Sequence, residues 1–145
     1  MGSERPKGAG VPARLPDLTV LGERLSICRL DAGEEVPAWA ARGPFFSVTR
    51  TSDELSVVCL EEVVPESISR ERDWRALRLE GPLDLSMVGI LANVAVPLAE
   101  AGVSIFAVST FDTDYVLVRE EQLDLAVGTL RARGYRVGDH SAGGR

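Results

Sequence analysis

The segment from Val103 to Glu121 reads Val-Ser-Ile-Phe-Ala-Val-Ser-Thr-Phe-Asp-Thr-Asp-Tyr-Val-Leu-Val-Arg-Glu-Glu. Its two apolar runs predict β-strands over 103–109 and 115–119, because both are rich in β-branched and aromatic residues. The polar turn that joins them carries two carboxylates, Asp112 and Asp114. A turn this polar between strands this apolar is either a plain connection or a small-ligand site.

The sequence on both sides of this hairpin predicts a complete α+β unit. Alternating apolar residues indicate a strand over 74–80, and a helix is expected over 86–101. This helix is expected to have an apolar stripe and to end at Gly102, which suits a C-terminal cap. Pro97 removes one backbone hydrogen bond, so a kink is expected there. A second helix over 121–133 and a short strand over 135–137 follow. The predicted stripe of the first helix consists of Val88, Leu91, Ala92, Ala95 and Leu98.

The N-terminal half contains a shortened copy of the same pattern. Phe46 and Glu54 match Phe106 and Asp114 at a constant offset of 60 residues, which indicates an internal duplication. Strands are expected over 25–30, 45–49 and 55–60, with a short helix over 34–41. The segment 61–73 has no second amphipathic helix. About eleven residues, mostly helix, are missing relative to the second half.

These patterns predict two α+β subdomains with the order βαββαβ, the first abbreviated, each with an antiparallel sheet and helices on one face. The expected boundaries are 17–72 for the N-terminal subdomain and 73–138 for the C-terminal one. The Gly- and Pro-rich ends, 1–16 and 139–145, are expected to be disordered tails.

Composition excludes several classes of protein. The chain has 145 residues, 45% of them hydrophobic, and a formal net charge of −6, which disfavours nucleic acid and anionic membranes as partners. No apolar run approaches the roughly 18 to 20 residues that span a bilayer, and no secretory signal is evident, so a cytoplasmic location is expected. Cys28 and Cys59 lie in apolar runs far from the single histidine, His140. They are expected to be buried thiols, and neither a metal nor another cofactor is predicted.

Several motifs together resemble the ACT domains of the CASTOR type, which occur in the arginine sensors and in small bacterial two-ACT proteins. They are Gly81-Pro82-Leu83-Asp84, Gly89-Ile90-Leu91-Ala92, Pro97-Leu98-Ala99 and the run from Ser109 to Tyr115. The resemblance covers about residues 18 to 137. It implies ferredoxin-like ACT subdomains, amino-acid binding without catalysis, and ligands held at the seam between two ACT units. For a chain with two units, it implies a homodimer in which C-terminal halves face each other.

The resemblance also implies which residues hold the ligand. Ser104 and Ile105 would line one side of the seam. The other side would contain Asp84, Met87, Val88, Thr110, Phe111, Asp112 and Asp114. Arginine is disfavoured as the ligand, because the CASTOR sensors have acidic groups where this chain has Met87 and Gly102, and a buried guanidinium needs carboxylate partners.

The residue chemistry gives each group a candidate role and a plain alternative. Backbone N–H groups of the loop 81–85 could bind a carboxylate, and Asp112 or Asp114 an ammonium group. Alternatively, the two aspartates only bond their own turn and Asp84 only caps a helix. Phe111, Met87 and Ile105 could equally be core residues.

Three functions follow from these patterns. The first is an amino-acid-responsive regulatory module. The second is a ligand-independent interaction module that uses the turn 111–114 to bind a protein. The third is an enzyme, which the sequence disfavours because no suitably placed base, nucleophile or metal set accompanies the carboxylates.

Overall fold

The structure is a computed structural model that describes residues 15–83 and 88–139. The strands are β1 (Leu18–Leu30), β2 (Ser47–Arg50), β3 (Leu55–Leu60), β4 (Ser69–Leu79), β5 (Ile105–Ser109), β6 (Asp114–Arg119) and β7 (Val137–Asp139). The helices are α1 (Ile90–Glu100) and α2 (Leu123–Ala132), and 3₁₀ turns lie at Ala38–Ala41, Glu61–Val63 and Glu120–Gln122. None of the helices in these ranges is long and apolar enough to cross a membrane.

The described residues form two compact units. The larger unit comprises 15–22, 77–83 and 88–139, and the smaller unit comprises Glu23–Ala76. The long strands β1 and β4 run from one unit into the other. The predicted α+β class is confirmed, with β-α-β-β-α-β order from β4 to β7.

In the larger unit the strand order is β7-β1-β4-β6-β5, and β5 and β6 form an antiparallel hairpin. Both helices pack on one face of this sheet. The face consists of alternating residues, because every second side chain of a strand points the same way. The core cluster includes Leu18, Val20, Leu77, Leu79, Val116 and Val118 from the strands, and Ile90, Val94, Leu98, Ala126 and Leu130 from the helices.

One detail of this sheet differs from the predicted antiparallel arrangement. The last strand, β7, pairs in parallel with the start of β1, with Leu18 opposite Val137. The expected strand over 25–30 does not include the start of β1. Because β1 extends to Leu18 and lies beside β4, the final strand meets the edge of β1 instead of β4.

The buried stripe of α1 also differs from the prediction. Val88 precedes the helix and is 56% exposed, whereas Ile90, Val94, Pro97 and Leu98 are buried. Gly89, at φ +88°, ends the preceding loop in a left-handed conformation that favours glycine. The helix therefore starts at Ile90, and its buried side follows the spacing of four residues from that position. It runs through Pro97 to Glu100.

In the smaller unit β3 pairs on one side with β2 and on the other with the second half of β1. Cys28 and Cys59 are free and buried in its core, as expected. The predicted helix over 34–41 is reduced to the 3₁₀ turn Ala38–Ala41. Pro37, which precedes the turn, has an extended backbone. The ring of a proline disfavours the α conformation of the residue before it, so Val36 is unsuited to the start of a helix.

The ends of the described chain extend slightly into the segments expected to be tails. Leu15 packs against the core cluster of the larger unit, and Asp139 is the last residue of β7. Both residues adjoin the parallel β1–β7 pair, which the sequence pattern did not reveal.

Candidate functional site

The β5–β6 turn is held by two threonines. The Thr110 N–H donates to the Thr113 carbonyl oxygen at 2.8 Å, and the Thr110 hydroxyl donates to the same oxygen at 3.0 Å. The Thr113 N–H in turn donates to the Thr110 hydroxyl oxygen at 3.2 Å. The turn backbone is therefore closed by threonine and does not need the aspartate side chains, which leaves these free for another role.

The turn is docked on the loop that follows β4. The Leu83 N–H donates to the Asp112 carbonyl oxygen at 2.7 Å, and the buried Thr113 hydroxyl donates to the Leu79 carbonyl oxygen. A Cβ atom at Gly81 would lie 2.9 Å from the same Asp112 oxygen, so only glycine allows this approach. The expectation that the loop 81–85 offers free N–H groups is thus wrong at Leu83, because its N–H is used to hold the turn.

The side chains at the tip of the turn point away from the fold. Phe111 is 83% exposed, whereas a core residue would be almost completely buried. The interpretation of Phe111 as an ordinary core residue is therefore excluded. Asp112 is exposed and Asp114, the first residue of β6, is half-buried. Within the ranges 15–83 and 88–139, neither carboxylate group has a hydrogen-bonding or ion-pair partner. Two anionic groups and one aromatic ring are therefore presented to solvent together.

The other predicted side of the site lies at the opposite end of β5. Ser104 is exposed just before the strand, and Ile105, its first residue, packs partly against the core cluster. Six residues separate Ser104 from Thr110, which is about 20 Å of extended chain at about 3.3 Å per residue. One chain therefore does not bring the two predicted groups together.

Of three further predicted residues, Asp84, Met87 and Val88, the structure describes one. Val88 is exposed and lies before α1, where it is available to a ligand or partner. Asp84 and Met87 lie outside the described residues. Among the described residues no side chain caps the N-terminus of α1, and its first N–H groups have no acceptor in a preceding turn of helix.

The strand β5 is one edge of the sheet in the larger unit, and the three-residue β7 is the opposite edge. In an antiparallel hairpin, bonded and non-bonded residue pairs alternate. Thr110 is bonded to Thr113, and β5 residues pair with β6 in a continuous register, so the N–H and C=O groups of Ile105, Ala107 and Ser109 point away from β6. The strand is also uncharged throughout. Such an edge is open to pairing with another strand.

A separate cavity of about 320 Å³ lies near the ends of β1, β4 and β7. The charged residues that line it form ion pairs. Arg136 lies 3.3 Å from Asp17, and Glu80 lies 2.9 Å from Arg78, which is outside the lining. No group of metal-ligating side chains occurs in the described part of the chain. The cavity is lined by Asp17, Leu18, Thr19, Glu80, Arg136, Val137 and Gly138.

Comparison with known proteins defines the class. Residues 69–132 match the family model of the ACT domain, and residues 23–70 match a model of an N-terminal domain. The fold also resembles that of the ligand-free regulatory subunit of aspartate kinase from Thermus thermophilus. That comparison has a TM-score of 0.54 at 12% identity and covers 77% of this chain and 93% of that one.

Two relatives have higher sequence identity. Protein Atu0741 of Agrobacterium tumefaciens is 38% identical, with a TM-score of 0.84 over 89% of this chain and 96% of that one. The mouse protein called cytosolic arginine sensor for mTORC1 subunit 1 is 32% identical over 113 residues, 68% of this chain and 34% of its own length. The chain thus spans about a third of the length of the curated relatives of this kind that it matches.

The fold and these matches place the chain in the ACT-domain family. Within that family it is a CASTOR-like protein.

Proposed function

We propose that this protein is a non-catalytic regulatory module that binds a free amino acid between the C-terminal units of a homodimer. The relatives named as an arginine sensor and as an aspartate kinase regulatory subunit support the class of function. The observation that carries the proposal is the position of the site residues, which occupy the two opposite ends of one open edge strand, β5.

Pairing of β5 with β5 of a second copy would join these two ends. In an antiparallel pair centred on Ala107, Ile105 lies opposite the partner's Ser109, and Ser104 lies opposite the partner's Thr110. The outward N–H and C=O groups of Ile105, Ala107 and Ser109 are the ones that such a pair uses. The exposed turn of each copy then adjoins Ser104 of the other, giving two equivalent sites related by a two-fold axis.

The edge strand of the smaller unit is less suited to pairing. The strand β2 is only four residues long and ends in Arg50, whose guanidinium group donates to the Ala32 carbonyl oxygen. Short length and a charged end residue both protect an edge strand from association. The uncharged β5 is therefore the edge that we assign to the homodimer.

The chemistry of the turn suits a zwitterion. The unpaired carboxylates of Asp112 and Asp114 can accept hydrogen bonds from an ammonium group, each worth about 1.5 to 3 kcal/mol when one partner is charged. The N-terminus of α1, which no described side chain caps, offers N–H donors and a positive dipole end for a carboxylate. The exposed ring of Phe111 can pack on an apolar side chain. Arginine is not our preferred ligand, since Gly102 supplies no acidic group for its guanidinium.

Thermal unfolding with each of the twenty amino acids tests the proposal. A ligand at 100 times its Kd should stabilise the protein by about 2.7 kcal/mol, which gives a Tm rise of several degrees. Asp114→Ala should abolish this rise and change the stability of the unliganded protein by less than about 1 kcal/mol, because Asp114 is partly exposed and unpaired. The Tm of wild type and variant is measured with and without ligand.

Two results would contradict the proposal. One is a dimer whose Tm no amino acid raises at millimolar concentration. The other is an Asp114→Ala variant that unfolds without ligand, which would make Asp114 a structural residue. Mass spectrometry of small molecules that co-purify with the native protein would identify the ligand without a prior choice of candidates.

A second candidate function is a ligand-independent protein interaction through the turn 111–114. The 83% exposure of Phe111 favours it, because a large exposed aromatic side chain is common at protein interfaces. The changes Phe111→Ser and Asp112→Ala would then abolish capture of a protein partner, while amino acids would have no effect on it. Dependence of capture on an added amino acid would instead support the first proposal.

We further propose that 17–72 and 73–138 are two ACT subdomains that arose by duplication, the first abbreviated. The shared turn and strand register of their hairpins support this division. Separate expression of 73–138 tests it: a cooperative thermal transition would show that the subdomain folds alone, whereas an unfolded fragment would show that it needs the start of β1, which contributes Leu18 and Val20 to the same core.

A further inference from the structure

Gln122 makes two hydrogen bonds to backbone groups at the start of β5. Its side-chain oxygen accepts from the Ser104 N–H at 3.3 Å, and its side-chain nitrogen donates to the Gly102 carbonyl oxygen at 3.1 Å. One planar amide therefore holds two backbone groups that are two residues apart. This is the segment that leads into Ser104 and Ile105.

The alternation of the hairpin explains why Ser104 needs such a partner. Thr110 is a bonded residue, so the N–H groups of Val108 and Phe106 point toward β6, and the same alternation directs the N–H group of Ser104, just before the strand, to that side. The ladder between β5 and β6 ends at Ile105 and Val118. After it, β6 gives way to the 3₁₀ turn Glu120–Gln122, and the Gln122 side chain takes the place of the missing strand partner.

The duplicated half shows that this glutamine is not required to build the turn. The hydrogen-bond registers of the two hairpins, and the 3₁₀ turns Glu61–Val63 and Glu120–Gln122, correspond at an offset of 59 residues. Val63 is therefore the counterpart of Gln122. It is apolar and packs against the core of the smaller unit. The same turn thus forms with a valine at this position.

We propose that Gln122 is a positioning residue of the ligand seam: it fixes the backbone from Gly102 to Ser104 and so holds Ser104 and Ile105 in register for the second copy. This inference rests on the proposed function. Gln122 need not contact the ligand, because its amide is directed to the backbone on the β6 side of Ser104 and away from the open edge of β5.

The change Gln122→Val tests this role with the residue that the duplicated half uses. We expect about tenfold weaker amino-acid binding and a similar increase in the dimer dissociation constant, because the segment 102–104 is then no longer fixed before the ligand and the second copy bind. The Tm of the unliganded protein should fall by no more than about 4 °C, because surface changes in a chain of this size have small effects. Calorimetry, sedimentation equilibrium and thermal unfolding give the three values.

Two further variants sharpen the test. Gln122→Glu keeps the acceptor for the Ser104 N–H but loses the donor to Gly102, so it should restore part of the binding. Glu100→Gln weakens an exposed ion pair with Arg133 between the two helices and should leave both binding constants unchanged. The amide resonance of Ser104 in a ¹⁵N–¹H spectrum should shift strongly in Gln122→Val and only weakly in Glu100→Gln.

The outcomes separate this inference from the proposed function. If the wild-type dimer binds an amino acid and Gln122→Val binds it equally well, Gln122 has no positioning role and the proposed function stands. If no amino acid binds the wild type, the proposed function fails, and the dimer dissociation constant alone decides about Gln122. A Tm loss above about 10 °C, which in a chain of this size corresponds to several kcal/mol, would show a purely structural residue.

Discussion

The hairpins β2–β3 and β5–β6 have the same construction. In the smaller unit the Thr51 N–H donates to the Glu54 carbonyl oxygen at 2.9 Å, and the Thr51 hydroxyl oxygen accepts from the Glu54 N–H at 3.1 Å. Thr110 makes the same bonds to Thr113, and both hairpins enclose a four-residue turn. The two turns share this backbone structure but differ in the groups around them, and these groups decide which turn is the candidate site.

The carbonyl oxygen at the tip of each turn has a different donor. Asp112 accepts from the Leu83 N–H, which belongs to the loop before α1. The counterpart Asp53 accepts from the Arg29 guanidinium group at 2.9 Å. In the smaller unit the Arg29 side chain therefore supplies the hydrogen-bond donor that a loop N–H group supplies in the larger unit. This agrees with the shorter segment between the first strand and the hairpin in the N-terminal half. The helix N-terminus that could bind a carboxylate is absent from the described residues there.

The side chains that would contact a ligand differ as well. Leu55, the counterpart of Asp114, is fully buried, and the exposed Ser52 occupies the position of Phe111. The smaller unit thus keeps the turn but has neither the unpaired carboxylate of Asp114 nor the exposed aromatic ring. The two hairpins therefore share the turn, and of the two described turns the one in the C-terminal half carries the unpaired carboxylates and the exposed aromatic ring on which the proposed site depends.

The two glycines that precede the hairpins offer the largest test of this comparison. Gly43 and Gly102 are counterparts, at φ +90° and +84°, so each substitution by alanine should cost about 1 to 2 kcal/mol of backbone strain. A Cβ at Gly43 would also lie 2.7 Å from Leu60 Cγ, whereas a Cβ at Gly102 meets open space. Overpacking adds about 1 to 3 kcal/mol at Gly43 only. Urea unfolding should therefore show a larger loss for Gly43→Ala than for Gly102→Ala.

Equal losses would mean that Leu60 moves aside for the new Cβ atom at Gly43, so that only backbone strain remains at both positions. A larger loss for Gly102→Ala would contradict the comparison, since it would place a close packing contact where the structure has open space. Gly33, which also has nothing near its Cβ position but no positive φ in the range that strains other residues, is the control: Gly33→Ala should be nearly neutral.

Much of the fold was predictable because strong local signals agree with the tertiary structure. The strand over 55–60 matches β3, and the helix over 121–133 contains α2, since alternation and periodicity were clear there. The duplication was recognised, but at an offset of 60 instead of 59. Sequence similarity aligned Phe46 with Phe106, whereas the hydrogen-bond register aligns Phe46 with Ile105. A shift of one residue reverses the face of every strand residue, so only the backbone pairing could reveal it.

The candidate site was less predictable, because its roles depend on contacts that are distant in sequence. Thr113 was not singled out, although its hydroxyl bonds to Leu79, 34 residues away. Gln122 gave no signal as an isolated polar residue at a helix start. Its counterpart Val63 is evident only from the hydrogen-bond register, because the sequence offset of 60 aligns Gln122 with Glu62.

The turn threonines provide the smaller test. Thr51→Val and Thr110→Val each remove hydroxyl bonds to the turn backbone while keeping the size of the side chain, so each should cost about 1 kcal/mol. The Thr51 hydroxyl oxygen also accepts from the Asp53 N–H at 3.1 Å, so the loss for Thr51→Val in urea unfolding should equal or exceed that for Thr110→Val. A loss confined to Thr51→Val would mean that docking on Leu83 holds the second turn without its threonine. The turns would then be alike in form but not in what stabilises them.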